Sequence, residues 1–301
     1  MAKEPAMSTR VSRVVPATTR TLGLGLSVSS VDCGALGVAA SPVMLLDHFR
    51  VRASPFPPHP HAGFAAVTYV LPDSDGGVRS RTSLGDDLVI GPGGIVWTQA
   101  GSGLIHEEAP SEAGRELHGV QIFVNASSSR KLTAPHVLHL ERNGAPEWRN
   151  ADGDHVRVIV GSFEGLSSPL VPVEPFRLLD VELHRGFSFD VAAGDNALVY
   201  VLHGEILARV EGDERRLAEE QAVTLRGDDT TAALEALRPA RLLILSGAEI
   251  REQVVEQGPF IMNEQSQIDA AFARYRAGEM GRLTPMANIR APSNEASIER
   301  A

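Results

Sequence analysis

The chain has 301 residues, 43% apolar and 22% charged, a balance that excludes a largely disordered protein. Its formal charge of −10 argues against direct contact with nucleic acid or with an anionic membrane. One cysteine, Cys33, rules out an intrachain disulfide or a Cys-rich zinc site, and 28 Gly and 19 Pro beside 5% aromatics point to short elements and frequent turns rather than a helical bundle.

Residues 1–19 are polar and mixed in charge, without the basic-then-apolar order of a signal peptide. They read as a flexible leader over 1–20, with Met7 as an alternative start. No apolar run approaches the roughly 18–20 residues of a membrane span. A lone thiol without an export signal places the protein in the cytoplasm. Cys33 itself reads as a buried or incidental thiol, since no local Cys-His signature surrounds it.

Strand-like runs follow. Residues 66–71 (AVTYVL) are β-branched and apolar and end at the turn cluster Pro72-Asp73-Ser74-Asp75-Gly76-Gly77. Residues 87–90, 95–97, 120–124 and 156–160 are further short strands. The second half repeats the style at 187–191, 197–202 (ALVYVL), 206–210, 222–225, 232–237 and 241–245. A turn is expected at His203-Gly204-Glu205. The pair AVTYVL and ALVYVL hints at an internal duplication. Residues 268–277 alone look helical, with Ile268, Ala271, Phe272 and Tyr275 at helical spacing. Short strands and turns of this regularity predict an all-β barrel or sandwich, divided in the Pro/Gly/Ser-rich stretch 165–175. The polar residues 284–301 form a loosely attached tail.

Two short runs carry the chemistry: His59-Pro60-His61 and His106-Glu107-Glu108. In an extended strand, residues i and i+2 face the same way. His59 and His61 therefore project together, as do His106 and Glu108, while Glu107 points away. Three imidazoles and a carboxylate form a mixed N/O donor set that suits iron, manganese, nickel, copper or zinc better than calcium or magnesium. Spacing alone leaves open a Pro-rich turn at the first run and a solvated loop at the second.

At these residues the sequence resembles the pirin family of the cupin superfamily. The run Phe56-Pro57-Pro58-His59-Pro60-His61-Ala62-Gly63-Phe64 matches the HPH-x-GF signature. Residues 97–108 (WTQAGSGLIHEE) match the AG-x-G-x-x-H-x-E motif. Residues 45–49 (LLDHF), Ser83-Leu84-Gly85, Gly91-Pro92-Gly93, 118–125 (HGVQIFVN) and 258–263 (GPFIMN) resemble further family segments, so the likeness spans about residues 40–280.

The resemblance implies an all-β bicupin, two β-barrels packed face to face with a short C-terminal helix. The units would be an N-terminal barrel with the metal site over 21–164 and a C-terminal barrel with the helix over 165–283. The family's ligands carry over onto His59, His61, His106 and Glu108, holding one divalent ion: Fe(II) first, with Mn, Ni, Cu, Co or Zn compatible. His184 and His203 have no matching set, and His136, His139 and His155 read as surface residues. Many pirins carry Glu where this chain has Ala65, so a contact beside the ligands or to substrate is expected to be missing. The implied activity is of the quercetin 2,3-dioxygenase type. A flavonol and O2 would be the substrates, the central ring is cleaved with release of carbon monoxide, and Glu108 is the catalytic proton acceptor. Gln99 and Ser102 are candidate cavity liners; Val120 and Ile122 fit ordinary core better. The resemblance equally implies a non-enzymatic alternative, an iron- or redox-dependent regulator acting through protein partners such as a transcription factor or a metabolic enzyme.

Overall fold

The computed structural model describes residues 10–22, 25–53 and 57–286. The chain is mostly β and forms two cupin units. Their sheets are not closed barrels but face one another as β-sandwiches. In the first unit a seven-stranded antiparallel sheet runs His136–Leu140, Ile95–Gln99, Phe64–Val70, Leu117–Asn125, Val43–Val51, Leu26–Val31, Thr18–Leu22. A four-stranded sheet (His59–His61, Leu104–Pro110, Val78–Thr82, Asp87–Ile90) covers one face. The second unit is built on one nine-stranded sheet around the long strands Asp195–Val210 and Thr230–Ala248.

The period-2 alternation of strands divides the core. From the larger first sheet, Leu46, Val67, Tyr69, Trp97, Val120 and Ile122 face the second unit. They meet Leu178, Leu198, Tyr200, Leu243 and Leu245 in one buried cluster, the seam between the units. Residues of opposite parity face the smaller sheet. Because Phe64–Val70 is covered on both sides, every one of its residues is buried, and its sequence is apolar on both parities except at Thr68. The second unit encloses its own core of Val181, Val199, Val201, Leu225, Leu242 and Ile244 among others.

The segments expected at 197–202 and 206–210 are one strand. Gly204 (φ +88°) bulges in place of the expected turn, and a Cβ there would lie 2.3 Å from the Pro239 carbonyl. The segments 232–237 and 241–245 likewise join in Thr230–Ala248. The chain changes sheets earlier than the stretch 165–175. Glu147–Arg149 and His155–Val160 already pair within the second sheet, and 162–167 form a small hairpin.

Part of the expected leader is built in. Val11 is fully buried, Val15–Pro16 pairs with Gln221–Arg226 of the second unit, and Thr18–Leu22 pairs with Leu26–Val31. The candidate start Met7 lies outside the described residues, as does 287–301 of the tail. The helix, Gln265–Ala277, ends at Gly278 in the left-handed region (φ +78°). Its Ile268 and Ala271 pack with Ala62, Ile105, Phe260 and Met280, so it returns to the first unit; Tyr275 is exposed. Cys33 opens the short helix Cys33–Leu36 beside the seam, and burial pushes its thiol up to about 12, an inert group. Among the described residues no helix is long and apolar enough to cross a membrane.

Candidate metal centre

The strand Leu104–Pro110 organises the site. It pairs with His59–His61 so that His106 lies opposite His59 and Leu104 opposite His61. On its other side it pairs with Val78–Thr82, with Glu108 opposite Ser80. Residues 59, 61, 106 and 108 therefore share one face of the smaller sheet, as the i, i+2 spacing predicts. The three imidazoles converge, one ligand atom of each lying within 4.8 Å of the others. The His59 and His106 rings are 4.6 Å apart between centroids and the His61 and His106 rings 4.7 Å. Glu108 lines the same cavity outside this group, and the Thr68 hydroxyl donates to its Oε2 at 2.5 Å. Glu107 points away as expected and accepts the Met286 amide.

Two backbone carbonyls set the tautomers. His59 Nδ1 donates to Pro57 O at 3.0 Å, and His61 Nδ1 donates to Pro259 O at 3.3 Å. Each bond leaves the Nε2 lone pair of its ring free for a ligand, the arrangement that orients metal-binding histidines. Pro259 belongs to the GPFIMN segment, which explains why that distant motif accompanies the HPH run. Burial, with His59 beside it, pushes His61 down to about 3, and burial holds His106 well below the ordinary range. Both are neutral at pH 7 and able to donate a lone pair. His106 Nε2 meets His59 Nε2 at 3.1 Å, while the buried His106 Nδ1 has no hydrogen-bond partner. Nε2 atoms facing one another beside an unpaired ring nitrogen leave polar capacity unused at a buried spot, which a cation would satisfy. The donor set fits a divalent metal.

The site opens on a cavity of about 250 Å³ between the two sheets of the first unit. Leu26, Val28, Phe49, Val51, Leu117 and Phe123 make most of its wall apolar. Among the described residues, the one charged lining group besides the site itself is the carboxyl of Asp47, and no Lys or Arg lines it. Gln121 lines it too, its Oε1 accepting from Thr68 and its Nε2 donating to Val67 O.

The structure corrects some expectations and agrees with the core reading of Val120 and Ile122. Val120 and Ile122 lie on the seam face, and Gln121 and Phe123, one residue out of phase, face the cavity. Gln99 is buried against Trp97 Nε1 at 3.4 Å, and the Ser102 carbonyl accepts from Arg274; neither lines the cavity. Ala65 also lies in the seam cluster, so the missing Glu removes no contact from this cavity. His155 is not a surface residue. It is buried, with Nε2 3.1 Å from Glu147 and Nδ1 3.4 Å from Glu182. His184 and His203 are exposed, as expected of unassigned histidines.

Comparison with known proteins agrees with this architecture. The pirin family profile matches residues 37–124, and the profile for the pirin C-terminal cupin domain matches residues 178–281. A pirin-like protein of Caulobacter vibrioides is 35% identical over 246 residues, covering 79% of this chain and 86% of its own length. Pirin of Rattus norvegicus is 29% identical over 281 residues, covering 92% and 95%. The crystal structure of a quercetin 2,3-dioxygenase from Acinetobacter baumannii superposes with a TM-score of 0.81 at 27% identity, covering 91% of this chain and 99% of that one. With both halves of the family pattern present in order and a relative this similar across most of its length, the chain belongs to the pirin family.

Proposed function

We propose that this chain is a metal-dependent oxygenase of the quercetin 2,3-dioxygenase type, acting on a flavonol-like molecule and O2 in the cytoplasm. The observation that carries the reading is the convergence of His59, His61 and His106 on the wall of an apolar cavity that, among the described residues, no Lys or Arg lines. A cavity without Lys or Arg is poorly suited to carboxylate or phosphate substrates and well suited to a neutral aromatic one. The fold likeness to a quercetin 2,3-dioxygenase supports the same class.

In this reading His59, His61, His106 and Glu108 hold one divalent ion, which we assign as Fe(II) from its mixed nitrogen and oxygen donors. When bound, the metal supplies a Lewis acid that acidifies a coordinated hydroxyl and leaves positions open to O2. The chain's own residues do the rest. Pro57 O and Pro259 O fix two imidazoles through their Nδ1 protons. Thr68, with Ser80 opposite on the neighbouring strand, positions the Glu108 carboxylate to accept the flavonol hydroxyl proton. Phe49 and Phe123 offer ring faces to a flat substrate and exclude water from it.

The test is the visible absorbance of quercetin under oxygen, with protein of measured iron content, alongside carbon monoxide in the headspace. Metal-dependent bleaching with carbon monoxide release, abolished in Glu108→Gln, is expected. Unchanged absorbance with stoichiometric iron overturns the reading.

A further inference from the structure

The cavity carries a second polar end that the proposed chemistry does not use. Asp47 lines it from the strand Val43–Val51. In the antiparallel register Asp47 lies opposite Gln121, and Gln121 lies opposite Thr68, so the three form one row on the cavity face across neighbouring strands. At about 4.8 Å per strand, Asp47 stands about 10 Å from Thr68, the residue that holds Glu108. Apolar side chains fill the wall around this row.

Hydrogen-bond capacity along the row is unequal. The Gln121 amide is engaged at both atoms, by Thr68 and by Val67 O. The Thr68 proton is committed to its two acceptors. Asp47 has a cross-strand partner in the Ser30 hydroxyl, and a carboxylate offers about four acceptor sites. Burial raises its carboxyl against the opposing pull of the Ser30 hydroxyl and the nearby Arg20 charge.

Resting on the oxygenase reading above, we propose that Asp47 is the specificity-determining acceptor for a second, remote hydroxyl of the substrate. The cavity thereby selects a flavonol-like polyphenol with hydroxyl groups at both ends over one hydroxylated only at the metal end. A donor at the far end of the cavity meets Asp47, whereas an analogue without it leaves free acceptor sites of the half-buried carboxyl unused at a largely apolar wall. The step is binding alone; no bond is made or broken at Asp47.

The test measures binding calorimetrically under nitrogen, with metal-loaded protein. The probes are quercetin, hydroxylated on all its rings, and 3-hydroxyflavone, which keeps only the metal-directed hydroxyl. The native chain is expected to bind quercetin at least tenfold more tightly. In Asp47→Leu the ratio falls to near one; in Asp47→Asn, which keeps shape and an acceptor but no charge, it falls between. If Asp47→Leu does not fold, the Asp47→Asn ratio decides. Equal affinities in the native chain, a ratio that survives in the variants, or no binding of either compound overturns the proposal. A ratio behaving as expected without turnover under oxygen overturns the oxygenase reading and leaves the Asp47 assignment standing.

Discussion

The Tyr69 hydroxyl donates to Asp180 Oδ2 at 2.5 Å across the seam between the two units. Arg241 clamps the same carboxylate with two bonds at 2.9 and 2.6 Å, and Arg157 donates to the Tyr69 oxygen at 2.7 Å. Tyr69 is the tyrosine of AVTYVL, and its counterpart in ALVYVL, Tyr200, reaches the other way to His48 Nδ1 at 3.2 Å. Each unit thus sends one hydroxyl into the other, from the same position of a matching strand.

Removing that hydroxyl strands a buried carboxylate and a buried guanidinium. Tyr69→Phe is expected to cost about 1–3 kcal/mol in denaturant unfolding, because it leaves charged partners short of one bond. Asp180→Ala, which leaves Arg241 without the carboxylate that it clamps at two atoms, and Arg241 and Arg157 with only the longer pairs to Asp73 and Glu147, is expected to cost about 3–5 kcal/mol. Equal, small losses in both variants would show that the seam is held by its apolar cluster alone.

The same seam makes stability fall in acid. His48 Nε2 meets His118 Nε2 at 2.7 Å, and His118 Nδ1 meets Asp73 at 3.1 Å. A consistent set of neutral tautomers runs Tyr200 to His48 to His118 to Asp73. Burial, with His118 and Arg50 nearby, lowers His48 to about 4. Above about pH 6.5 neither the folded nor the unfolded His48 is protonated. Between about 6.5 and 4 only the unfolded chain takes up the proton, so stability declines with falling pH, by up to about 3 kcal/mol from this group. His61, lowered to about 3, adds to the slope in metal-free protein. Unfolding free energies measured from pH 8 to 4 should therefore fall, with His48→Phe shallower by up to one proton. Identical slopes would remove His48 as a source.

Gly63 ties the fold to the site. Its φ is +89°, and a Cβ there would lie 1.9 Å from the Ile261 carbonyl. The bulk of Gly63→Ala is therefore expected to displace the GPFIMN segment, whose Pro259 carbonyl orients His61. An added methyl against backbone in a left-handed conformation costs about 2–5 kcal/mol. Calorimetric melting and metal analysis should show both a lower melting temperature and lower metal content. A stable variant with full metal would disconnect the segment from the site.

Much of this was legible because the signals were local. The i, i+2 spacing in HPH and HEE put four side chains on one sheet face, and the matching AVTYVL and ALVYVL runs marked an interior strand of each unit. What was illegible depended on register. Which parity of 117–125 faces the cavity cannot be read from a strand buried on both sides, so the core reading of Val120 and Ile122 agrees with the structure without pointing to Gln121 and Phe123 as the residues that line it. Pairings far apart in sequence were hidden for the same reason. Examples are Val15–Pro16 on the second sheet and Pro259 on His61, 198 residues away. His155 carried no local sign that the exposed Glu147 and Glu182 would flank it on neighbouring strands while its own ring is buried.

The central claim is that the three imidazoles hold a metal ion. Elemental analysis of the protein purified without chelator or immobilised-metal resin tests it most directly, comparing the native chain with His59→Ala and Glu108→Ala. The account predicts about one divalent ion per native chain, iron first, and its loss in His59→Ala with weakened retention in Glu108→Ala. A native chain without metal after incubation with Fe(II), or stoichiometric metal retained in both variants, would contradict it.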